Sequence, residues 1–124
     1  MTKQAIEDML NSHAKWLNNE YGGQRANMRD MDLRGANMQG ANMRGANMRG
    51  ADIDYACWPL WCGSFDVIVD ARIAAQLAYH FCRLVCDDPR YIAARNAIVE
   101  FANQFHRVDE CGRLKKIEVP VNAE

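Results

Sequence analysis

The chain has 124 residues and 49% hydrophobic residues, which fits one small globular domain. Its formal net charge is −1, so it lacks the overall positive charge that is typical of nucleic-acid-binding proteins. No apolar run approaches the ~18 residues of a membrane span, and acidic residues among the first ten positions argue against a signal peptide. Five cysteines, an odd number, indicate free thiols in a reducing compartment. We therefore expect a cytoplasmic protein.

The chain opens with the apolar pattern of an amphipathic helix, which a glycine pair at Gly22 ends. We expect residues 1–23 to form a cap on the segment that follows, with Trp16 lying over it. His13 falls on the apolar stripe of this helix. Such a position is more typical of a packing contact than of a ligand.

A five-residue repeat follows. Residues 26–55 divide without remainder into ANMRD, MDLRG, ANMQG, ANMRG, ANMRG and ADIDY, and a degenerate unit begins at Ala56. This period fits neither the 3.6 residues of a helix nor the 2.0 of a strand. A chain that turns one corner per unit would point the first and third residues inward and place Gly, Asn and Asp at the corners. We therefore expect Arg44 and Arg49 to be exposed. The expected buried residues are Ala36, Met38, Ala41, Met43, Ala46 and Met48.

Two helices are predicted after Pro59 breaks the repeat within residues 57–65. The first runs from an N-cap at Asp70 to about Cys86, and the second begins at the Asp88-Pro89 pair. The expected apolar faces are Ile73, Leu77, Phe81, Leu84 and Val85 in the first helix, and Tyr91, Ala94, Ile98, Phe101, Ala102 and Phe105 in the second.

The predicted organisation therefore has four parts. They are a capping helix over residues 1–23, the repeat over 24–60, a helical region over 61–112 and a tail over 113–124 that we expect to be frayed.

The repeat resembles the pentapeptide-repeat family, whose motif is a small residue, Asn or Asp, a large apolar residue and two variable positions. The resemblance implies a mainly β fold: a short right-handed quadrilateral β-helix, or solenoid, between an N-terminal capping helix and a C-terminal two-helix region. The whole chain also resembles short members found in phages and prophages, which implies the host cytoplasm. Members that mimic DNA at gyrase depend on a long acidic rod, and this repeat carries no acidic excess.

Cysteine and histidine residues form one candidate site. Cys82 and Cys86 share a helix face, and with His106 and Cys111 they have the donor types of a tetrahedral zinc site. The usual spacing of structural zinc sites is absent, and buried free cysteine packs as a small hydrophobe, so core thiols are favoured. No catalytic motif is present, and we expect no enzyme, no cofactor and no metal.

Arginines on the repeat form the second candidate site. With four units per coil, positions twenty apart stack, so that Arg29 lies over Arg49. Residues 25–55 contain five Arg and four Asp. A solvated face of mixed charge is the simple interpretation, and a face that binds an acidic partner is the other. The candidate partner-binding residues are Arg29, Arg34, Arg44 and Arg49.

We therefore expect a non-catalytic protein that binds a macromolecule. The first hypothesis is a phage or prophage factor that binds and inhibits a host defence protein, such as a CRISPR effector. The alternative is a nucleic-acid-binding module that uses the arginine faces. The sequence leaves open whether these faces or the helical region bind the partner.

Self-association is also predicted, because the two C-terminal helices carry more apolar residues than one contact face uses. The resemblance points to the same region, since several pentapeptide-repeat proteins dimerise through a C-terminal helical segment. We expect a homodimer through these helices. The alternative is a closed monomer in which the helices pack on each other and on Trp58 and Trp61.

Overall fold

The computed structural model describes residues 2–118, and the chain falls into two compact units, Met1–Asp70 and Ala71–Glu124. The helices are α1 (Lys3–Leu17), α2 (Ala71–Cys82), α3 (Pro89–Ala102) and α4 (Val108–Cys111), with a 3₁₀ turn at Cys62–Ser64. Within residues 2–118 no helix combines the length and the hydropathy that crossing a membrane requires.

Helix α1 begins where Thr2 caps it, because the Thr2 hydroxyl accepts a hydrogen bond from the Ala5 N–H at 3.1 Å. Its two buried residues, Ile6 and His13, are seven positions apart and so lie on one face. The His13 ring contacts the repeat through two hydrogen bonds. Its Nδ1 accepts from the Ala26 N–H, and its Nε2 pairs with the Arg44 carbonyl, both at 2.9 Å. The interpretation of His13 as a contact residue is confirmed.

The repeat coil (residues 26–68) is wound so that residues about twenty positions apart meet. Isolated parallel bridges join Asn27 to Asn47, Asp32 to Asp52, Asn37 to Cys57 and Asn47 to Ile68. The first three bridges span 20 residues and the last spans 68 − 47 = 21. The winding therefore continues beyond the regular repeat, with one residue inserted.

The inserted residue is accommodated where the sequence predicted a break in the repeat. The Met43 N–H donates to the Gly63 carbonyl at 2.7 Å, while the Trp61 indole N–H donates to the Ala41 carbonyl at 3.0 Å. On the other sides of the coil, the equivalent carbonyl accepts a backbone N–H of the next turn. At Ala41 the Trp61 indole N–H replaces that backbone N–H. Gly63 is needed here because a Cβ would lie 2.4 Å from the Trp61 ring.

The corners of the coil follow from the second and fifth residue of each unit. The Asn47 side-chain oxygen accepts from the Arg49 N–H at 3.1 Å, and Gly50 then turns the chain with a φ of 76°. Glycine adopts this left-handed backbone without the steric cost that a Cβ brings. The assignment of Gly to corners is confirmed, whereas the asparagines Asn27, Asn37 and Asn47 lie in the middle of the sides, where they form the bridges.

The interior of the coil is made of the third residues, with the small first residues beside them. Met43, Ala46 and Met48 have no exposed surface, and Arg44 is exposed, as expected. Ala41 is the exception, because it is only half-buried. Methionine therefore serves as the core residue of this coil.

The expected mainly β class is wrong. Helices α1, α2 and α3 contain 15, 12 and 14 residues, whereas in residues 2–118 the β-structure consists of isolated bridges, with no sheet. The physical reason is the five-residue period. A corner interrupts each side of the coil before two consecutive residues can pair, so the backbone hydrogen bonds never extend into a strand.

In the second unit α2 and α3 pack together, but most of the predicted apolar residues stay on the surface, and only Ile73, Ala102 and Phe105 of the predicted faces are buried. Helix α2 ends at Cys82 and not near Cys86, which leaves Val85 fully exposed. Both helices are apolar on more than one face, so spacing alone did not identify the buried one. The buried residues are Ile73, Ala75, Gln76, Tyr79 and Cys82 in α2, and Ile92, Arg95, Val99 and Ala102 in α3.

Asn96 of α3 and Asn103, the C-cap residue of α3, hold the segment that follows α4. Asn103 donates to the Leu114 carbonyl and accepts from the Leu114 N–H, both at 2.8 Å. Asn96 makes the same pair of bonds with Ile117, at 2.6 and 2.8 Å. The expectation of a frayed tail is therefore wrong for residues 114–117, and residues 119–124 lie outside the described part of the chain.

Candidate binding face

One side of the repeat coil has arginines at both of its corners. Asn27 and Asn47 are bridged, so Arg29 and Arg49, two residues later in each unit, stack at the same corner. Adjacent rungs of such a ladder are about 4.8 Å apart. The sequence prediction that Arg29 lies over Arg49 is confirmed by this bridge.

The second corner of this side holds Arg44 and Arg25. The Arg25 Nε–H donates to the Gly45 carbonyl at 2.6 Å, which places its guanidinium beside the residue that follows Arg44. We call Arg25, Arg29, Arg44 and Arg49 together the arginine face. Arg25 was absent from the predicted set. The phase of the repeat was the available signal, since Arg25 occupies the fifth position of the unit before Ala26.

The centre of the arginine face also offers hydrogen-bond donors. The side-chain oxygens of Asn27 and Asn47 already accept the N–H groups of Arg29 and Arg49, at 3.2 and 3.1 Å. Their amide NH₂ groups are the donors that remain. A partner that supplies acceptor or anionic groups complements such a surface.

Ion pairing on the arginine face is weak. Arg29 lies 3.7 Å from Asp30, with both side chains largely exposed, which is the kind of pair that contributes little. Among residues 2–118, no acidic group lies within 4.0 Å of Arg44 or Arg49. These two guanidinium groups therefore keep their hydrogen-bonding capacity for a partner.

Acidic residues border the arginine face. Asp66 follows on the corner of Arg44, since its carbonyl accepts the Gly45 N–H at 3.1 Å. Asp70 lies on the corner of Arg49, where its carboxylate accepts the Gly50 N–H at 2.6 Å. The face is therefore a pattern of both charges and not a uniformly positive surface.

Arg34 does not belong to the arginine face. It donates from Nε and an Nη to both carboxylate oxygens of Asp32, at 2.8 Å each, and lies 3.8 Å from Asp52. Hydrogen bonds from Arg34 lower the pKa of Asp32 well below its usual range, and the same pair raises the pKa of Arg34. The Arg34 guanidinium already donates to Asp32 within the chain, so Arg34 is the weakest candidate among the predicted partner-binding residues.

The predicted cysteine and histidine set is not brought together. Cys82 is buried, whereas Cys86, His106 and Cys111 are exposed. In the part of the chain that the structure describes, no group of three or more His, Cys, Asp or Glu residues could hold a metal ion. Burial raises the pKa of the Cys82 thiol, which disfavours the reactive thiolate form.

Comparison with protein-family models matches residues 24–57 to the family described as pentapeptide repeats. Comparisons with curated proteins and with solved structures gave no match. The matched span begins at Gln24, so it includes Arg25 and the units that form the arginine face. Residues 24–57 of this chain therefore consist of pentapeptide repeats, the units that define this family.

Proposed function

We propose that the protein acts without catalysis, by binding the acidic surface of a partner protein on its arginine face. The observation that supports this most strongly is the unpaired state of Arg44 and Arg49 on the two corners of one side of the coil. Guanidinium groups bind carboxylates through two parallel hydrogen bonds, which gives geometric specificity as well as charge attraction.

The mixed charge of the face favours a protein over a nucleic acid. Asp30, Asp66 and Asp70 lie on the same two corners as the four arginines. A phosphate backbone would meet these carboxylates as like charges, whereas a protein surface can present a matching pattern of both signs. Nucleic-acid binding through the arginine face remains the alternative, and the test must distinguish it from protein binding.

The resemblance to short phage and prophage proteins makes a host defence protein, such as a CRISPR effector, the first partner class to test. In this proposal the protein would meet its partner in the cytoplasm of the host. Inhibition would follow from occupation of an acidic surface on that partner.

The test is affinity capture from a bacterial lysate, with and without nuclease treatment, followed by quantitative mass spectrometry. The Arg44→Gln/Arg49→Gln double variant should lose a protein that the wild type retains after nuclease treatment. Arg34→Gln is the matched control, since it removes an arginine outside the face. Equal capture by the double variant and the wild type would refute the proposal. Loss of all capture on nuclease treatment would instead support nucleic-acid binding, which salt dependence of duplex binding would check.

We also propose that the protein forms a homodimer through α2 and α3. Leu77, Phe81, Ile98 and Phe101 remain 36–39% exposed, which is unusual for large apolar side chains on adjacent helices. Phe81 packs on Tyr91 of α3, with ring centroids 5.0 Å apart, so the exposed apolar residues of α2 lie next to those of α3. A two-fold contact would bury the exposed apolar residues of both helices at once.

Light scattering at micromolar concentration tests the dimer. The expected mass is twice the 14.1 kDa of one chain. Phe81→Glu/Ile98→Glu should give the single-chain mass, and Val85→Glu, at an exposed position after α2, should leave the dimer intact. A single-chain mass for the wild type would reject the proposal.

A further inference from the structure

The segment that follows α4 is bound through its backbone, as a peptide ligand would be. The Asn103 amide group donates to the Leu114 carbonyl and accepts from the Leu114 N–H, both at 2.8 Å. The Asn96 amide group makes the same two bonds with Ile117, at 2.6 and 2.8 Å. We call Asn96 and Asn103, with the neighbouring Arg95, the asparagine site.

The spacing of the two asparagines selects an extended chain. Asn96 and Asn103 are seven positions apart, which is about 10.5 Å along a helix. Leu114 and Ile117 are only three positions apart, and three residues cover roughly 10 Å only when the chain is fully extended. A helical or turned segment would be too short to reach both asparagines, so the site is specific for extended backbone.

Recognition at the asparagine site depends little on side chains. The four asparagine bonds and a fifth, from the Arg95 guanidinium to the Lys115 carbonyl at 2.8 Å, all go to main-chain atoms. Leu114 is half-buried and packs against the buried cluster that contains Phe105, whereas residues 115–118 are exposed. A ligand therefore needs an extended backbone and a large apolar residue at the position of Leu114.

The charge of the chain's own segment does not complement the asparagine site. Arg95 is buried and donates to main-chain carbonyls, and no acidic group of residues 2–118 lies within 4.0 Å of it. The residues that flank Leu114 are nevertheless basic, namely Arg113, Lys115 and Lys116. Because a buried cation without an ionic partner is stabilised by nearby anions, acidic residues in place of the two lysines would fit the site better.

We propose that the asparagine site binds an extended acidic segment of a partner protein, and that the chain's own segment covers the site until the partner displaces it. The partner segment has a large apolar residue at the Leu114 position and acidic residues at the next two positions.

The asparagine site is independent of the other two proposed contacts. It belongs to the second unit, whereas the arginine face belongs to the first. Ile98 of the proposed dimer contact is two positions from Asn96, and residues with this spacing do not share a helix face. Each proposal therefore stands if the others fail.

Binding of two peptides to the full chain tests the proposal. Both carry fluorescein and the sequence of residues 112–118, one unchanged and one with Lys115→Glu and Lys116→Glu, and anisotropy measures their affinities. At low salt the acidic peptide should bind about tenfold more tightly, because two charge pairs contribute together.

Variants of the chain then locate the binding. Leu114→Asp should expel the chain's own segment and tighten binding of the acidic peptide about tenfold or more, because a linked segment competes at a high effective concentration. Leu84→Asp, at an exposed leucine after α2, is the matched control and should change nothing. Asn103→Ala, added to Leu114→Asp, should weaken the peptide about fivefold or more.

A second measurement needs no change in the apolar cluster. Adding the acidic peptide to the wild type should speed amide exchange at Leu114 and Ile117, since their asparagine partners are taken. Lys115→Glu/Lys116→Glu in the chain itself should slow exchange at both amides and weaken peptide binding, because the covering segment then fits better.

The proposal is overturned if the acidic peptide binds neither the wild type nor Leu114→Asp, or if the two peptides bind equally. Binding that Asn103→Ala does not weaken, or that leaves exchange at Ile117 unchanged, would place the peptide elsewhere and overturn it as well.

Discussion

His13 should make the stability of the first unit depend on pH, and its hydrogen bonds determine the direction. The Ala26 N–H donates to Nδ1, so Nδ1 must carry a lone pair, and the proton sits on Nε2, which donates to the Arg44 carbonyl. Protonation would place a second N–H against the Ala26 N–H inside a fully buried contact. Burial accordingly lowers the pKa of His13 below its usual 6.5.

Because the pKa of His13 is lower in the folded state, His13 takes up its proton at a higher pH in the unfolded chain than in the folded chain. Its contribution to stability is therefore complete above pH 6.5 and declines as the pH drops below it. Between pH 7.5 and 5.5 the free energy of unfolding should fall by up to about 1.4 kcal/mol from this group alone. His13→Ala should also cost about 2–6 kcal/mol at pH 7.5, because two backbone groups lose their partner at a buried contact.

Urea unfolding followed by tryptophan fluorescence measures this directly. All three tryptophans, at positions 16, 58 and 61, lie in the first unit. His13→Gln should remove the pH-dependent loss, and His80→Gln, which changes an exposed histidine, should retain it. An equal loss in His13→Gln and the wild type would refute the assigned tautomer and the contact it makes.

Three further substitutions test the packing. Met43→Asp should unfold the first unit, because an unpaired charge at a site with no exposed surface costs several kcal/mol; a retained thermal transition would contradict the position of the core. Asn103→Ala should cost about 1–3 kcal/mol and speed amide exchange at Leu114, and unchanged exchange would show that the paired hydrogen bonds do not hold the segment. Gly63→Ala should lower the melting temperature through a clash with the Trp61 ring, and an unchanged melting temperature would exclude that contact.

The repeat shows which features of the fold the local sequence pattern can predict. Gly50 forms a corner at positive φ, and the Asn47 side-chain oxygen accepts the Arg49 N–H that leads into it, because both effects act over a few bonds. The burial of Met43 and Met48 follows from the same phase. The mainly β class was nevertheless wrong, since it depended on how many consecutive residues pair between turns of the coil.

The helices show where pattern fails. Tyr79 is not part of the apolar face predicted for the first C-terminal helix, yet it is buried, and its hydroxyl donates to the Gly112 carbonyl at 2.7 Å. Arg95 is buried because carbonyls of Cys82 and Lys115 accept its N–H groups. Neither environment is visible in spacing, because the partners lie 13 to 33 positions away.

The binding surfaces divide in the same way. The exposure of Arg44 and Arg49 follows from the sequence alone, because the phase of the repeat decides which residues point outward. The hydrogen bonds of Arg34 to Asp32 and the position of Arg25 beside Gly45 could be seen only in the folded chain, since they depend on contacts between side chains and between turns of the coil.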